Sequence, residues 1–242
     1  MDDPQCSPGH PNWAEGGQSG SAVPVGVLLE QQLAASEANA IDAAIEPRLA
    51  RALRAEIARS EPKLAIEIGM ANGISTLAIL AGLPPGGRLI SIDPFQDTLW
   101  HGAGKELVAR CDRAKNHTVV TEPDYLALPT LIREGVTVDF AYIDGMHTFD
   151  YVSLDAFYID KLLPVGGVIA FNDCGFRSIH KFLKLFRSHR RYEEIDVGLT
   201  PDYRGRNPLV SWARRLSGRS NQDRYFRKLE QWEPPHNFFR QF

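Results

Sequence analysis

The feature that most constrains this chain is a regular alternation of short apolar runs with amphipathic stretches across its middle. The runs are LAIEIGM (64–70), RLISID (88–93), HTVVTE (117–122), VDFAYIDG (138–145) and GGVIAFND (166–173). Each run is short, apolar and bounded by glycine, proline or charged residues, which favours a strand over a helix. Apolar strands separated by helices predict a parallel sheet covered on both faces. The predicted fold class is therefore α/β.

Helical spacing is found in the stretches between and after these strands. The predicted helices are STLAILAGL (75–83), a helix carrying Lys105 to Ala114, DYVSLDAFYIDKLLP (150–164) and Ser178 to Ser188. In the last of these, apolar residues recur every three or four positions, as they do on the buried face of a helix. A further strand is predicted over Tyr192 to Val197, and beyond Pro201 the pattern gives no clear elements.

The chain divides into three segments by composition. Residues 1–24 are rich in proline and glycine and lack periodicity, which predicts a flexible N-terminal arm. Residues 25–200 are predicted to form the nucleotide-binding domain, with one or two amphipathic helices between Val25 and Ser60 added before the first strand. Residues 201–242 form a basic, aromatic C-terminal extension. Three roles are open for it: a lid over a substrate (acceptor) site, a dimer surface or a contact for an anionic partner.

Cysteine usage and hydropathy indicate where the protein works. Cys6, Cys111 and Cys174 are an odd number of cysteines with no metal-ligand spacing, which argues against a disulfide framework or a structural zinc. The N-terminal residues resemble no signal peptide, and no run approaches the roughly 18 apolar residues of a spanning helix. We therefore expect a cytoplasmic protein with no membrane partner.

The first chemical motif lies where the first strand turns into a helix, and it reads Glu67-Ile-Gly69-Met-Ala-Asn-Gly73. Glycines allow a sharp bend and a close approach of backbone to ligand at the carboxyl edge of the sheet. The spacing has two glycines after an acidic residue, unlike the three glycines that cradle a dinucleotide pyrophosphate. S-adenosylmethionine carries no phosphate, but it has an ammonium group at its amino-acid end and a sulfonium. Glu67 is predicted to orient the amino-acid end, directly or through water, and Ser75 and Thr76 are predicted to supply hydroxyls to its carboxylate. The alternative is a tight turn with no ligand.

The second motif is Asp93, which ends the second predicted strand in ISIDPF. A carboxylate at this position accepts hydrogen bonds from the ribose hydroxyls of an adenosine in related sheets. Phe95 is then predicted to pack beside the adenine. Asp124 or Tyr125, after the third strand, is predicted to meet the exocyclic amine or the ring of the adenine.

The third constellation follows the fourth and fifth strands. Asp144, His147 and Asp150 come after the fourth strand, and Asn172 and Asp173 after the fifth. Asp144, Asn172 and Asp173 offer the oxygen ligands that Mg²⁺ prefers, and His147 is a residue type suited to act as a general base. The alternative is that Asp144 contacts the cofactor, Asp150 caps the following helix and His147 bonds to backbone.

These residues resemble a known family. The run EIGMANGISTL, then SIDPF, then VDFAYIDGMHTFDYVSLDAFYIDKLLPVGGVIAFND is similar to the class I S-adenosylmethionine-dependent methyltransferases, in particular bacterial small-molecule O-methyltransferases of the catechol and sugar types. The resemblance covers roughly residues 40 to 190. It implies a Rossmann-like sheet with an N-terminal helical addition, and IDGxHxFDxVxxD followed by LLxxGG is its more specific part.

The resemblance also implies roles for particular residues. Residues matching Asp144, Asn172 and Asp173 hold Mg²⁺ in the metal-dependent members, and His147 stands where the catechol type has a lysine base. The Asn172-Asp173 order departs from the Asp-Asn of the catechol type and the Asp-Asp of many relatives. Nucleic-acid base methyltransferases carry an Asn/Asp-Pro-Pro-aromatic motif after the fourth strand, where this chain has IDGMH. We therefore expect a small-molecule hydroxyl as the acceptor and no nucleic-acid partner.

Two other functional classes remain open. One is a protein that binds S-adenosylmethionine without methyl transfer and serves as a scaffold or partner. The other is a nicotinamide-dependent oxidoreductase on a similar sheet, which Glu67 and the missing third glycine disfavour.

Overall fold

The computed structural model describes residues 22–38 and 44–242. Most of the predicted N-terminal arm, with Cys6, lies outside the described residues, as does Ile41 of the predicted amphipathic stretch. Val23 and Pro24 lead directly into the first helix, and Val23 forms a parallel bridge with Cys111.

One seven-stranded sheet runs through the described part of the chain. Its strands are β1 (Leu64–Ile68), β2 (Arg88–Ile92), β3 (His117–Val120), β4 (Phe140–Ile143), β5 (Val168–Phe171), β6 (Tyr192–Ile195) and β7 (Arg224–Lys228). The spatial order is β3-β2-β1-β4-β5-β7-β6. Strands β1 to β5 pair in parallel, and β7 is antiparallel to both β5 and β6. The predicted α/β class and all five predicted core strands are confirmed.

Eight helices accompany the sheet in the described residues. They are α1 (Val25–Ala38), α2 (Pro47–Ser60), α3 (Ile74–Gly82), α4 (Ala103–Ala109), α5 (Asp124–Arg133), α6 (Phe149–Leu162), α7 (Arg177–His189) and α8 (Pro208–Ser217). Two of them, α5 and α8, were not predicted from the sequence pattern. A short 3₁₀ turn spans Ala114–Asn116. The N-terminal addition is therefore two helices, and the N-cap of α6 is Thr148, not the Asp150 considered for that role.

Alternate residues of each strand enter two separate cores. Ile66 and Ile68 of β1 pack against α5, α6 and α7, whereas Ala65 packs with α1, α2 and α3 on the other face. A strand alternates its side chains with a period of two, so Glu67 points to the same face as Ala65. This direction decides what Glu67 can contact.

The last part of the chain completes the sheet. Strand β7 lies within the segment 201–242 and is inserted between β5 and β6, with Tyr225 and Phe226 buried on opposite faces. Lys228 is also buried, and its ammonium group donates to the carbonyl oxygens of Asp160 and Leu163 and lies 3.2 Å from the Asp160 carboxylate. The segment expected as an extension thus supplies a strand of the domain's own sheet.

None of the helices in the described residues is long and apolar enough to cross a membrane.

Candidate active site

A cleft of about 430 Å³ opens at the carboxyl ends of β1, β4 and β5. Its volume is within the range of about 300 to 1,000 Å³ usual for small-molecule sites. The glycine turn after β1 forms one wall, and Asp144, His147 and Asp173 line the opposite wall. In an open parallel sheet this edge is where ligands bind, because the connections diverge there on either side of the sheet.

The glycine turn is shaped by its contact with the end of β4. Gly69 has φ +87°, and a β-carbon at this position would lie 2.1 Å from the carbonyl oxygen of Asp144. Only glycine allows this approach, because any side chain would both clash and strain the backbone. Ala71, two residues on, has φ +45° and also lines the cleft. Non-glycine residues in this backbone region are uncommon and cluster at functional sites.

Glu67 lies behind this turn and not in the cleft. Its carboxylate is fully buried and accepts hydrogen bonds from the hydroxyls of Ser75 (2.6 Å), Thr76 (2.7 Å) and Ser91 (2.6 Å). Burial raises the pKa of Glu67 from 4.5 to about 7, although the three hydroxyls act in the opposite direction. Ser75 also lines the cleft, but its hydroxyl is directed to Glu67. In this structure Glu67 links β1, β2 and the first turn of α3, and its role in orienting a ligand stays a prediction.

Asp93 also acts on the turn. Its Oδ2 accepts the backbone N–H groups of Met70 (3.1 Å) and Ala71 (2.8 Å) and the side-chain amide of Gln96 (2.9 Å). Its Oδ1 accepts the N–H of Phe95. Asp93 is only 3% exposed, so in this arrangement the carboxylate fixes the floor of the cleft and does not face it.

The predicted adenine residues lie on the other side of the glycine turn. Phe95 follows β2 and Tyr125 follows β3, and both rings are exposed, at 47% and 43%. The Tyr125 ring meets Tyr151 edge-on, with centroids 6.4 Å apart. Asp124 begins α5 and is only 8% exposed. Burial, as the larger cause, and the charge of Asp124 together raise the pKa of Asp155 to about 8. These residues border the strand ends but do not line the 430 Å³ cleft.

The opposite wall of the cleft brings together three titratable groups predicted from the sequence. The His147 Nε2 lies 3.2 Å from an oxygen of Asp173 and 3.5 Å from an oxygen of Asp144. A hydrogen bond to Asp144 is the largest cause that raises the pKa of His147, while burial raises the pKa of Asp144 to about 6. Asp173 has φ +52°, so strain is again found at the site. The imidazole also stacks on Phe176, with centroids 5.1 Å apart.

The donor set of this wall fits a divalent cation. Asp144, His147 and Asp173 each offer one ligand atom, and these atoms all lie within 4.8 Å of one another. Mg²⁺ prefers oxygen ligands, so the carboxylates of Asp144 and Asp173 are the groups of this set that would hold it. Asn172 also lines the cleft, but its amide nitrogen donates to Tyr142 (2.9 Å) and Asp223 (3.2 Å). Its amide oxygen is then the atom that Asn172 can offer to a cation.

Several cleft residues were not found from the sequence. Asp223, just before β7, does not line the cleft but accepts hydrogen bonds from the Tyr142 hydroxyl (3.0 Å) and from the cleft residue Asn172 (3.2 Å), and burial raises the pKa of its carboxyl well above the usual range. Asn221 and Trp100 line the cleft from loops, and Ile45 and Glu46 line it from the start of α2. A sequence motif gives no signal for them, because they come from separate segments that meet only in the folded sheet.

The strand order and the cleft at the carboxyl edge of the parallel strands give this domain a Rossmann-like α/β architecture. A family model for a methyltransferase domain matches residues 66–174, which contain the glycine turn, Asp144 and the Asn172-Asp173 pair. The resemblance to class I S-adenosylmethionine-dependent O-methyltransferases is thereby confirmed for this part of the chain.

Curated relatives and solved structures agree with that class. "Probable caffeoyl-CoA O-methyltransferase 3" of Dictyostelium discoideum is 33% identical over 126 residues, which cover 47% of this chain and 45% of that protein. A flavonoid 3',5'-methyltransferase of Vitis vinifera is 28% identical over 114 residues, covering 46% of this chain and 47% of that protein. The chain thus spans about half the length of the curated relatives it matches.

The structural likeness is more extensive. An O-methyltransferase from Bacillus cereus, solved in complex with SAH, has a TM-score of 0.64 at 18% identity, covering 84% of this chain and 91% of that one. The O-methyltransferase TomG from Streptomyces achromogenes, solved with SAM, has a TM-score of 0.65 at 16% identity, with coverage of 84% and 90%. At these identities the likeness shows the fold, which extends through most of the chain.

Proposed function

We propose that this protein transfers the methyl group of S-adenosylmethionine to a hydroxyl of a small-molecule acceptor. The observation that carries the proposal is one cleft that faces the glycine turn on one side and the Asp144–His147–Asp173 cluster on the other. The methionine end of the cofactor would lie along the turn, with its sulfonium methyl directed at the cluster. The neighbours solved with SAH and SAM support this cofactor.

The adenosine end would lie on the β2 and β3 side of the turn. Phe95 and Tyr125 offer exposed ring faces there, and stacking on an adenine would cover apolar surface that is now in water. Asp93 is proposed to reach the ribose hydroxyls by exchanging one of its present backbone bonds, and Gly73 keeps the turn close to α4. The role of Glu67 in this proposal is indirect, because it holds the turn through Ser75 and Thr76.

Methyl transfer is an in-line displacement on a carbon that the sulfonium already activates. The acceptor oxygen forms a bond to the methyl carbon while the carbon–sulfur bond breaks, which leaves neutral S-adenosylhomocysteine. The hydroxyl proton must be removed, and His147 is proposed to take it at Nε2. Asp144 and Asp173 flank that nitrogen and would stabilise the imidazolium formed. Alignment of oxygen, carbon and sulfur supplies most of the remaining rate enhancement.

We further propose that Asp144, Asn172 and Asp173 hold Mg²⁺ when the metal is bound, through their carboxylate and amide oxygens, while the His147 Nε2 stays free to accept the proton. The metal would supply charge stabilisation for the acceptor oxygen. Burial raises the pKa of both Asp144 and Asp173, and the charge of Asp173 adds to this at Asp144, so a cation bound between them would favour their ionised forms. We also propose a cytoplasmic location, supported by Cys111 and Cys174, which are both free thiols.

The proposed function is tested with S-adenosylmethionine labelled in its methyl group and a panel of hydroxylated acceptors, followed by mass spectrometry of the products. We expect a methylated product from the wild-type protein. His147→Ala should lower turnover by about a hundredfold or more while the affinity for S-adenosylmethionine stays within about twofold. The matched control is His236→Ala, because His236 is an exposed histidine outside the cleft.

The outcomes separate the functional classes. Binding of S-adenosylmethionine without any product would favour a scaffold protein that binds the cofactor. Full turnover by His147→Ala would remove the imidazole from the mechanism. Activity that persists unchanged in excess EDTA would exclude a Mg²⁺ requirement, whereas activity restored by added Mg²⁺ after chelation would support the metal.

A further inference from the structure

A second cavity adjoins the cleft and is lined by arginines of the C-terminal segment. It is an open cavity of about 380 Å³, and three arginines line it, Arg204, Arg206 and Arg214. The only acidic residue among its lining residues is Asp173. Positive charges therefore outnumber negative charges in its walls by three to one.

The cavity is continuous with the catalytic wall of the cleft. Asp173 and Asn221 line both spaces. Phe176 lines the arginine cavity and stacks on the His147 imidazole with an interplanar angle of 12°. A molecule in the arginine cavity would thus extend directly towards the proposed base and the sulfonium methyl.

One of these arginines has a donor that lacks a partner within the described residues. The Nε–H group of Arg214 is buried without a hydrogen-bond partner. Arg219 does not line the cavity, but the charge of Arg214, after burial, lowers its pKa, so Arg214 lies close to a further positive charge. Arg204 is partly neutralised by Asp202, which lies 2.9 Å away.

The walls of the cavity are also held in place. Asn221 accepts a hydrogen bond from Arg214 and donates one to the carbonyl oxygen of Arg204 at 3.1 Å. A β-carbon on Gly175 would lie 2.1 Å from the Asn221 side-chain oxygen, so the loop before α7 packs closely on the C-terminal segment. The Arg214 guanidinium is therefore held in place by the fold, through Asn221 and the carbonyl oxygen of Arg204.

We propose that the arginine cavity binds an anionic group of the acceptor, a carboxylate or a phosphate, and so places a hydroxyl of that acceptor beside His147 and Asp173. The inference rests on the proposed methyl transfer and narrows its substrate class to hydroxylated acids. Guanidinium groups recognise both anions through paired, charge-assisted N–H bonds. Three arginines around one cavity favour an anion that enters between them.

The binding test is a calorimetric titration of the full-length protein with inorganic phosphate and, separately, with acetate. We expect saturable binding of at least one anion and a loss of about tenfold in affinity for Arg206→Gln and for Arg214→Gln. Arg206 is exposed, so its variant remains informative if Arg214→Gln disturbs the loop. The control is Arg215→Gln, an exposed arginine of α8 that does not line the cavity and should bind as the wild type does.

The turnover test compares paired acceptors, 3,4-dihydroxybenzoate with its methyl ester and glucose 6-phosphate with glucose. We expect kcat/KM to favour the anionic member of a pair by about tenfold or more, and this preference to collapse in Arg214→Gln and Arg206→Gln. The two pairs distinguish a carboxylate from a phosphate.

The proposal would be overturned if neither anion binds, if Arg215→Gln weakens binding as much as the cavity variants do, or if the neutral acceptors are preferred. Failure of methyl transfer as a whole is recognised separately. In that case no acceptor gives product, and the phosphate and acetate titrations still decide whether the arginine cavity is an anion site.

Discussion

Replacement of Gly69 by alanine tests whether the glycine turn must press against the end of β4. Gly69 has φ +87° and Gly86 has φ +82°, so the two positions share the same left-handed backbone. A β-carbon on Gly69 would lie 2.1 Å from the Asp144 carbonyl oxygen, whereas one on Gly86 would meet nothing within 4 Å. The two variants thus differ in the steric contact and not in the backbone strain.

The magnitudes follow from these two contributions. Left-handed backbone costs an alanine about 1 to 2 kcal/mol, which is the whole loss expected for Gly86→Ala. The clash adds about 1 to 3 kcal/mol, so Gly69→Ala should lose about 2 to 5 kcal/mol of unfolding free energy. Equilibrium unfolding in urea measures both losses, and calorimetry measures the affinity for S-adenosylmethionine. Equal losses for the two variants, with unchanged affinity in Gly69→Ala, would refute the reasoning.

Two further predictions concern stability. Because the pKa of Glu67 is raised from 4.5 to about 7, the folded protein holds a proton there that the unfolded chain releases, and this stabilising contribution is lost as the pH rises. Between pH 5 and pH 8 the wild type should lose about 2.5 kcal/mol more unfolding free energy than Glu67→Gln does. Urea unfolding at each pH measures this difference, and parallel pH profiles of the two proteins would contradict it. Lys228→Ala should cost about 3 to 5 kcal/mol by leaving the Asp160 carboxylate without its buried partner. The half-exposed Arg227→Ala should cost less than about 1 kcal/mol, and similar unfolding midpoints for the two would count against the account.

The sequence predicted the first five strands because each has its own local signal. A strand such as VDFAYIDG is apolar, short and ends at residues that break it, so its identity does not depend on distant contacts. Strand β7 has no such signal, because RYFRK is mostly charged. Its two aromatic residues, Tyr225 and Phe226, are buried only because β7 pairs with β5, which lies more than fifty residues earlier in the chain.

The site shows the same division between local and distant information. Asp144, His147 and Asp173 follow adjacent strands, so the sequence could place them together before any side-chain position was known. The sequence could not predict which face of the sheet carries the Glu67 side chain, because a strand buried on both faces shows no alternation of polar and apolar residues. Only the assignment of Ile66 and Ile68 to the α5–α7 face shows that Glu67 points to α3.

The C-terminal segment brings Asn221, Asp223 and the arginine cavity to the site because it returns to the sheet at β7. That return is set by the buried bonds of Lys228 to α6 and by the pairing of β7 with β5. These are contacts between segments far apart in the chain, and composition indicated only that the segment is basic.

The most direct test of the central claim is a pair of calorimetric titrations of the wild-type protein, one with S-adenosylmethionine and one with NAD⁺. The account predicts saturable binding of S-adenosylmethionine with one site per chain and no measurable heat of binding with NAD⁺. Binding of NAD⁺, or the absence of any binding of S-adenosylmethionine, would contradict the assignment of this cleft.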